Sequence, residues 1–154
     1  MKINVLFYLA YSKIILISLF LNIFSSLYDS RNFSFQLSEI NLIIKGPGNH
    51  SILSQDFYID PSEVIVNEVK KPYCKKICDF DKDLNNVILK FDTQITSCSK
   101  MFYELDDIIE IDLSNLNTSK VINMESMFCR CINLNKINFG KIDTSSSKYE
   151  WIIL

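Results

Sequence analysis

The chain has 154 residues, 48% of them hydrophobic, and a formal net charge of -2 from 16 Lys+Arg against 18 Asp+Glu. That leaves room for one domain behind an N-terminal signal, and the scattered basic residues, paired only at Lys70-Lys71 and Lys75-Lys76, exclude nucleic acid as a partner. A single histidine, His50, without an evident Ser or Cys partner, and the absence of a phosphate-cradling Gly loop argue against an enzyme and against a cofactor.

Met1–Phe24 opens with Lys2 and carries an apolar core, Ile14–Phe24, broken only by Ser18 and Asn22. Residues 1–26 therefore read as a secretory signal peptide. Ser25-Ser26 are small, but no Ala-x-Ala pattern precedes them, so an uncleaved membrane anchor is the alternative; counted from Val5, it would place Lys13 at a cost near its centre. Membrane contact is expected only through this segment.

Residues 33–91 read as β structure. Phe33, Phe35 and Leu37 alternate, as do Ile40 and Leu42 before Ile43-Ile44, and Gly46-Pro47-Gly48-Asn49 is a strong turn signal. Ile52-Leu53, then Phe57, Ile59, Val64, Val66 and Val69 around Asp60-Pro61, and finally Val87–Phe91 continue the pattern. This region is expected to be an antiparallel β cap on the repeats that follow, with an independent β domain as the other reading.

From Ile95 to Gly140 one phrase is said nearly twice. A shift of 26 positions lays Met101-Phe102 on Met127-Phe128, Ile111 on Ile137 and Thr118-Ser119 on Thr144-Ser145, and pairs Ile95 with Val121, Leu113 with Phe139 and Asn117 with Asp143. Within a copy, Ile109 and Ile111 alternating with Glu110 and Asp112 predict a short strand, Ser114–Asn117 a turn with Leu116 as its apolar plug, and Thr118 or Ser119 a helix cap. Val121, Met124, Met127 and Phe128 fall on one face of a short helix, a stripe that Ile95, Cys98, Met101 and Phe102 repeat. Strand, turn and short helix in sequence predict an α/β leucine-rich-repeat solenoid over residues 92–154, its last coil incomplete. Trp151, Ile152, Ile153 and Leu154 would then form an uncapped apolar end and a surface for self-association.

Asp112-Leu113-Ser114-Asn115-Leu116-Asn117-Thr118-Ser119-Lys120-Val121, then Met124, Met127-Phe128 and Cys131, resembles the BspA-type leucine-rich repeat of microbial surface proteins. Leu134, Ile137, Phe139, Ile142, Asp143, Thr144 and Ser145 extend the likeness. The resemblance implies a secreted or cell-surface protein that binds an extracellular protein or glycan through a repeat face, with no catalytic residues to carry over.

The remaining motifs are weaker. Cys74 and Cys78, flanking Lys75-Lys76-Ile77, are the disulfide candidates of an oxidising compartment, and Cys98 and Cys131 fall in apolar slots of the repeat. With Cys129, the spacings fit no zinc framework, and no metal site is expected. Asp79-Phe80-Asp81-Lys82-Asp83 imitates the opening of a calcium loop, but Leu84 and Lys90 occupy its demanding positions. Sequons stand at Asn32, Asn49 and Asn117. Glu104, Asp106, Asp107, Glu110 and Asp112 cluster around the first repeat strand, and Glu110, Asp112 and Asn138 on its face and that of its copy are the candidate binding residues. The sequence thus points to an adhesin-like surface module, with a truncated structural fragment of such a protein as the alternative.

Overall fold

The computed structural model describes residues 37–141, and the expectations for the N-terminal segment, Asn32 and the C-terminal tail lie outside them. Eight strands and no helix occur among the described residues: β1 (Ser38–Lys45), β2 (Gly48–Ser51), β3 (Glu63–Val66), β4 (Val69–Lys70), β5 (Ile77–Phe80), β6 (Leu84–Phe91), β7 (Ile108–Asp112) and β8 (Lys136–Asn138). Six form one mixed sheet in the order β4-β3-β6-β1-β7-β8, and β2 pairs with β5 in a second, two-stranded sheet.

Alternation builds the large sheet. Ile40, Leu42 and Ile44 of β1, Val87, Leu89 and Phe91 of β6, and Val64 and Val66 of β3 are buried on one face, while Asn41, Ile43, Asn86 and Ile88 point to the other. Pairing is antiparallel from β4 through β7 and parallel between β7 and β8. At the β1–β7 seam Ile44 pairs with Ile108 while Ile43 pairs with Glu110. Ile109 is therefore the extra residue of a bulge, which is why Ile108 and Ile111 are buried and Ile109 is only half-buried. The strands of residues 33–91 and the first repeat strand thus share one sheet through that seam.

The repeat is present in register but without its expected helices. Ile111 pairs with Ile137, Asp112 with Asn138, and Ser97 with Asn123, each across the same 26-residue shift. The N–H groups of Cys98, Lys100, Phe102 and Glu104 donate to the carbonyls of Asn123, Glu125, Met127 and Cys129 at 2.7, 3.0, 2.9 and 3.0 Å. Those of Met101, Tyr103 and Leu105 close tight turns onto Cys98, Lys100 and Phe102, and Met127, Cys129 and Cys131 do the same onto Met124, Ser126 and Phe128.

In the first copy alternate donors are thereby spent on the neighbouring copy and the others on turns, which leaves no helical ladder there. The backbone agrees: Lys100 and Ser126 both sit at φ 55°, and Glu104 and Arg130 at 59° and 64°, far from the helical value. The expected α/β leucine-rich-repeat architecture of strand and helix is thus corrected to an all-β one. Tandem turns bring residues three apart to one side, so Val121, Met124, Met127 and Phe128 are buried as a stripe without being helical. Thr118 caps no helix either; its carbonyl accepts from Val121 N–H at 2.9 Å in another tight turn.

One core runs through both parts. Phe57 meets Phe91 edge to face at 6.4 Å, and Phe102 stacks on Phe128 with centroids 5.7 Å apart and planes within 5°. The Tyr58 hydroxyl accepts the N–H groups of Thr96 and Ser97 at 3.0 and 3.3 Å, and Ser54 N–H donates to Met101 carbonyl at 2.9 Å, tying the loop after β2 to the first copy.

Candidate functional site

The open face of the six-stranded sheet is the functional candidate. The period of two sends Asn41 and Ile43 of β1, Asn86 and Ile88 of β6, Glu110 and Asp112 of β7, and Lys136 and Asn138 of β8 to the side away from the core. Register then sets neighbours: Asn41 lies between Asp112 and Ile88, Ile43 between Glu110 and Asn86, and Asp112 beside Asn138. The result is a depression of ≈ 720 Å³, with Asn67, Glu68 and Lys82 also lining it.

Its charges are mostly spent internally. Glu110 Oε2 meets Lys136 Nζ at 2.7 Å, and this hydrogen bond raises the Lys136 pKa. Asp112 accepts from Ser114, whose hydroxyl and backbone N–H together hold its carboxyl below the usual carboxylate range; burial opposes this slightly, and Asn138 and Lys136 reinforce it. Asn138 Oδ1 also accepts Gly140 N–H at 3.1 Å. Asn67 is committed to the fold, donating to Asn85 Oδ1 at 2.9 Å and accepting Asn86 N–H at 3.1 Å. The carboxamides of Asn41 and Asn86, in contrast, have no hydrogen-bond partner among the described residues.

The structure therefore brings Glu110, Asp112 and Asn138 together on one face, and adds Asn41 and Asn86, which the sequence reading did not single out. A signal was there: Asn41 interrupts the apolar run from Ile40 to Ile44, and Asn85-Asn86 precedes Val87. The acidic cluster is dispersed. Glu104 pairs with Arg130, Asp107 with His50, and Asp106 offers its carbonyl to Asn133 Nδ2 at 2.7 Å.

The other singled-out residues sit elsewhere. Cys74 and Cys78 are joined by a disulfide, with Cα atoms 5.1 Å apart. Cys98 and Cys131 are buried, which pushes their thiols up to about 12 and about 11. The Asp79–Asp83 segment ends β5 and turns into β6, with Lys82 carbonyl accepting Asn85 Nδ2 at 2.8 Å, and no metal-binding group of side chains occurs among the described residues. Asn49 is exposed on β2, whereas Asn117 is half-buried with Oδ1 accepting Ser119 N and Oγ at 3.1 and 2.7 Å. No described helix is long and apolar enough to cross a membrane.

A β module with one packed face, one open face of mixed polarity and two stacked copies of a short repeat is what these features define. The chain belongs to the family described as "Mycoplasma protein of unknown function, DUF285", whose model matches residues 73–150, half of the sequence and all of the repeat. Neither the curated proteins nor the solved structures contain a match. The match reaches a related repeat family and not the BspA-type leucine-rich repeat in particular.

Proposed function

We propose that this chain is a non-catalytic recognition module, secreted or displayed at the cell surface, that binds an extracellular protein or glycan through the open sheet face. One observation carries the reading: residues from both repeat copies and from both central antiparallel strands converge on one depression of mixed polar and apolar lining that the core does not need. A disulfide between Cys74 and Cys78 suits an oxidising compartment, as does the signal-like N-terminus. The membership in a DUF285 family is compatible with a surface module.

The test is binding of the purified, fluorescently labelled chain to cultured epithelial cells by flow cytometry. The paired change Glu110→Lys with Asp112→Lys should remove cell binding while keeping the circular-dichroism spectrum of the sheet, whose buried face is untouched, although loss of the Lys136 and Ser114 contacts lowers the unfolding midpoint. Undiminished binding of a folded double variant would overturn the assignment of this face.

A further inference from the structure

On the reading that this face binds a ligand, we infer that the ligand is an uncharged carbohydrate seated over Asn41, Ile43, Asn86 and Ile88. These four residues form a checkerboard at the centre of the sheet. Asn41 pairs with Ile88 and Ile43 with Asn86, so the two carboxamides lie on one diagonal and the two isoleucines on the other. A pyranose presents the same mixture, an apolar C–H face rimmed by hydroxyls that each donate and accept. A carboxamide is the side chain that offers both a carbonyl acceptor and two N–H donors, and both of these amides are unengaged by any of the described residues.

Charge decides against an ionic ligand. Lys136 neutralises Glu110, Ser114 and Asn138 satisfy Asp112, and the rim adds Glu68 and Lys82 of opposite sign. Three carboxylates, Glu68, Glu110 and Asp112, face the two ammonium groups of Lys82 and Lys136, so among the described residues no cluster of one sign is left to attract a sulfated, sialylated or cationic group. Size and composition decide against a protein. Protein interfaces gain most of their energy from buried Trp, Tyr and Arg anchors over about 1,200–2,000 Å². Among the described residues the lining of this depression contains no aromatic residue and no arginine, and ≈ 720 Å³ is the scale of a small-ligand site.

The experiment is an array of neutral, sialylated and sulfated glycans together with immobilised extracellular-matrix proteins, probed with the full chain, Asn41→Ala, Asn86→Ala and the Glu110→Lys/Asp112→Lys double variant. Affinities for N-acetyllactosamine and mannotriose are then measured by NMR titration. The expected result is retention on neutral glycans, with affinity lowered about tenfold by each Asn→Ala change, the size of one lost net hydrogen bond. Unchanged unfolding transitions of both Asn variants confirm that the loss is local. Preferential retention of sialylated or sulfated glycans would overturn the inference, as would equal affinities of the wild type and both Asn variants. Retention on a matrix protein alone, lost in the double variant, would remove the carbohydrate and keep the recognition face. Retention on neither class would remove both.

Discussion

Truncating Phe128 to alanine tests the stacked repeat most directly. Phe128 is fully buried, lies flat on Phe102 at 5.7 Å and meets Phe139 edge to face at 6.2 Å. Losing the transfer energy of a buried phenyl ring costs about 2–3 kcal/mol. The cavity left between the copies adds about 1–2 kcal/mol, giving roughly 3–5 kcal/mol in total. The backbone cannot easily collapse into that space, because Phe102 N–H is held to Met127 carbonyl at 2.9 Å beside it. Glu125 is the control: its side chain is exposed, and its alanine variant should cost under about 0.5 kcal/mol. Urea unfolding followed by circular dichroism reads both. If Phe102 and Phe128 truly stack, the double alanine variant should fall short of the sum of the singles by about 0.5–1.5 kcal/mol. Equal, small losses at Phe128 and Glu125 would refute the stacked arrangement.

Three further outcomes follow. His50 Nδ1 lies 2.7 Å from Asp107 Oδ2 and Nε2 lies 3.0 Å from Pro47 carbonyl, so both nitrogens face acceptors. Burial lowers the His50 pKa, but the Pro47 and Asp107 contacts outweigh it and raise the pKa above 6.5. This contribution to stability is full below the unfolded value of about 6.5 and is lost as pH rises through the raised folded value, so unfolding free energy should fall as pH rises past about 6.5, and Asp107→Asn should flatten the slope. Gly140 has φ 57°, and a Cβ there would stand 2.5 Å from Ser114 Cα, so Gly140→Ala should destabilise by about 1–3 kcal/mol in the same urea assay. Intact-mass analysis of protein from its native host should show a mature chain beginning beyond Phe24 and carrying the Cys74–Cys78 bond; a cytosolic product with Met1 and five free thiols would refute secretion.

What the sequence made legible was whatever depends on neighbours in the chain or on the repeat itself. The alternation of Ile40, Leu42 and Ile44 marks β1, the turn signal at Gly46-Pro47 marks its end, and the 26-residue shift is the register in which β7 and β8 pair. The helix was misread for a definite reason. Apolar residues at 121, 124, 127 and 128 satisfy a helix and a chain of three-residue turns equally, because both bring i and i+3 to one side. What separates them is the destination of the N–H groups of residues such as Lys100 and Phe102, which bond to a copy 25 positions further along. No local window contains that information. Left-handed φ at Lys100, Glu104, Ser126 and Arg130 is equally silent in sequence, since none of the four is glycine or asparagine.

The candidate face was half legible for the same physical reason. Glu110 and Asp112 share a strand, and Asn138 follows from the repeat, so local alternation and the period suffice to gather them. Asn41 and Asn86 could join them only through two antiparallel pairings, β1 with β7 and β1 with β6, that link residues remote in the chain. The face therefore belongs neither to the antiparallel strands nor to the repeat. Asn41 stands beside Asp112 because β1 is the strand at which the two meet, with Asn86 one strand further on. If recognition is carried here, the strands before residue 92 are part of the binding surface and not merely an end cover for the repeat. Changes at Asn41 or Asn86 should then alter ligand choice while leaving every repeat contact in place.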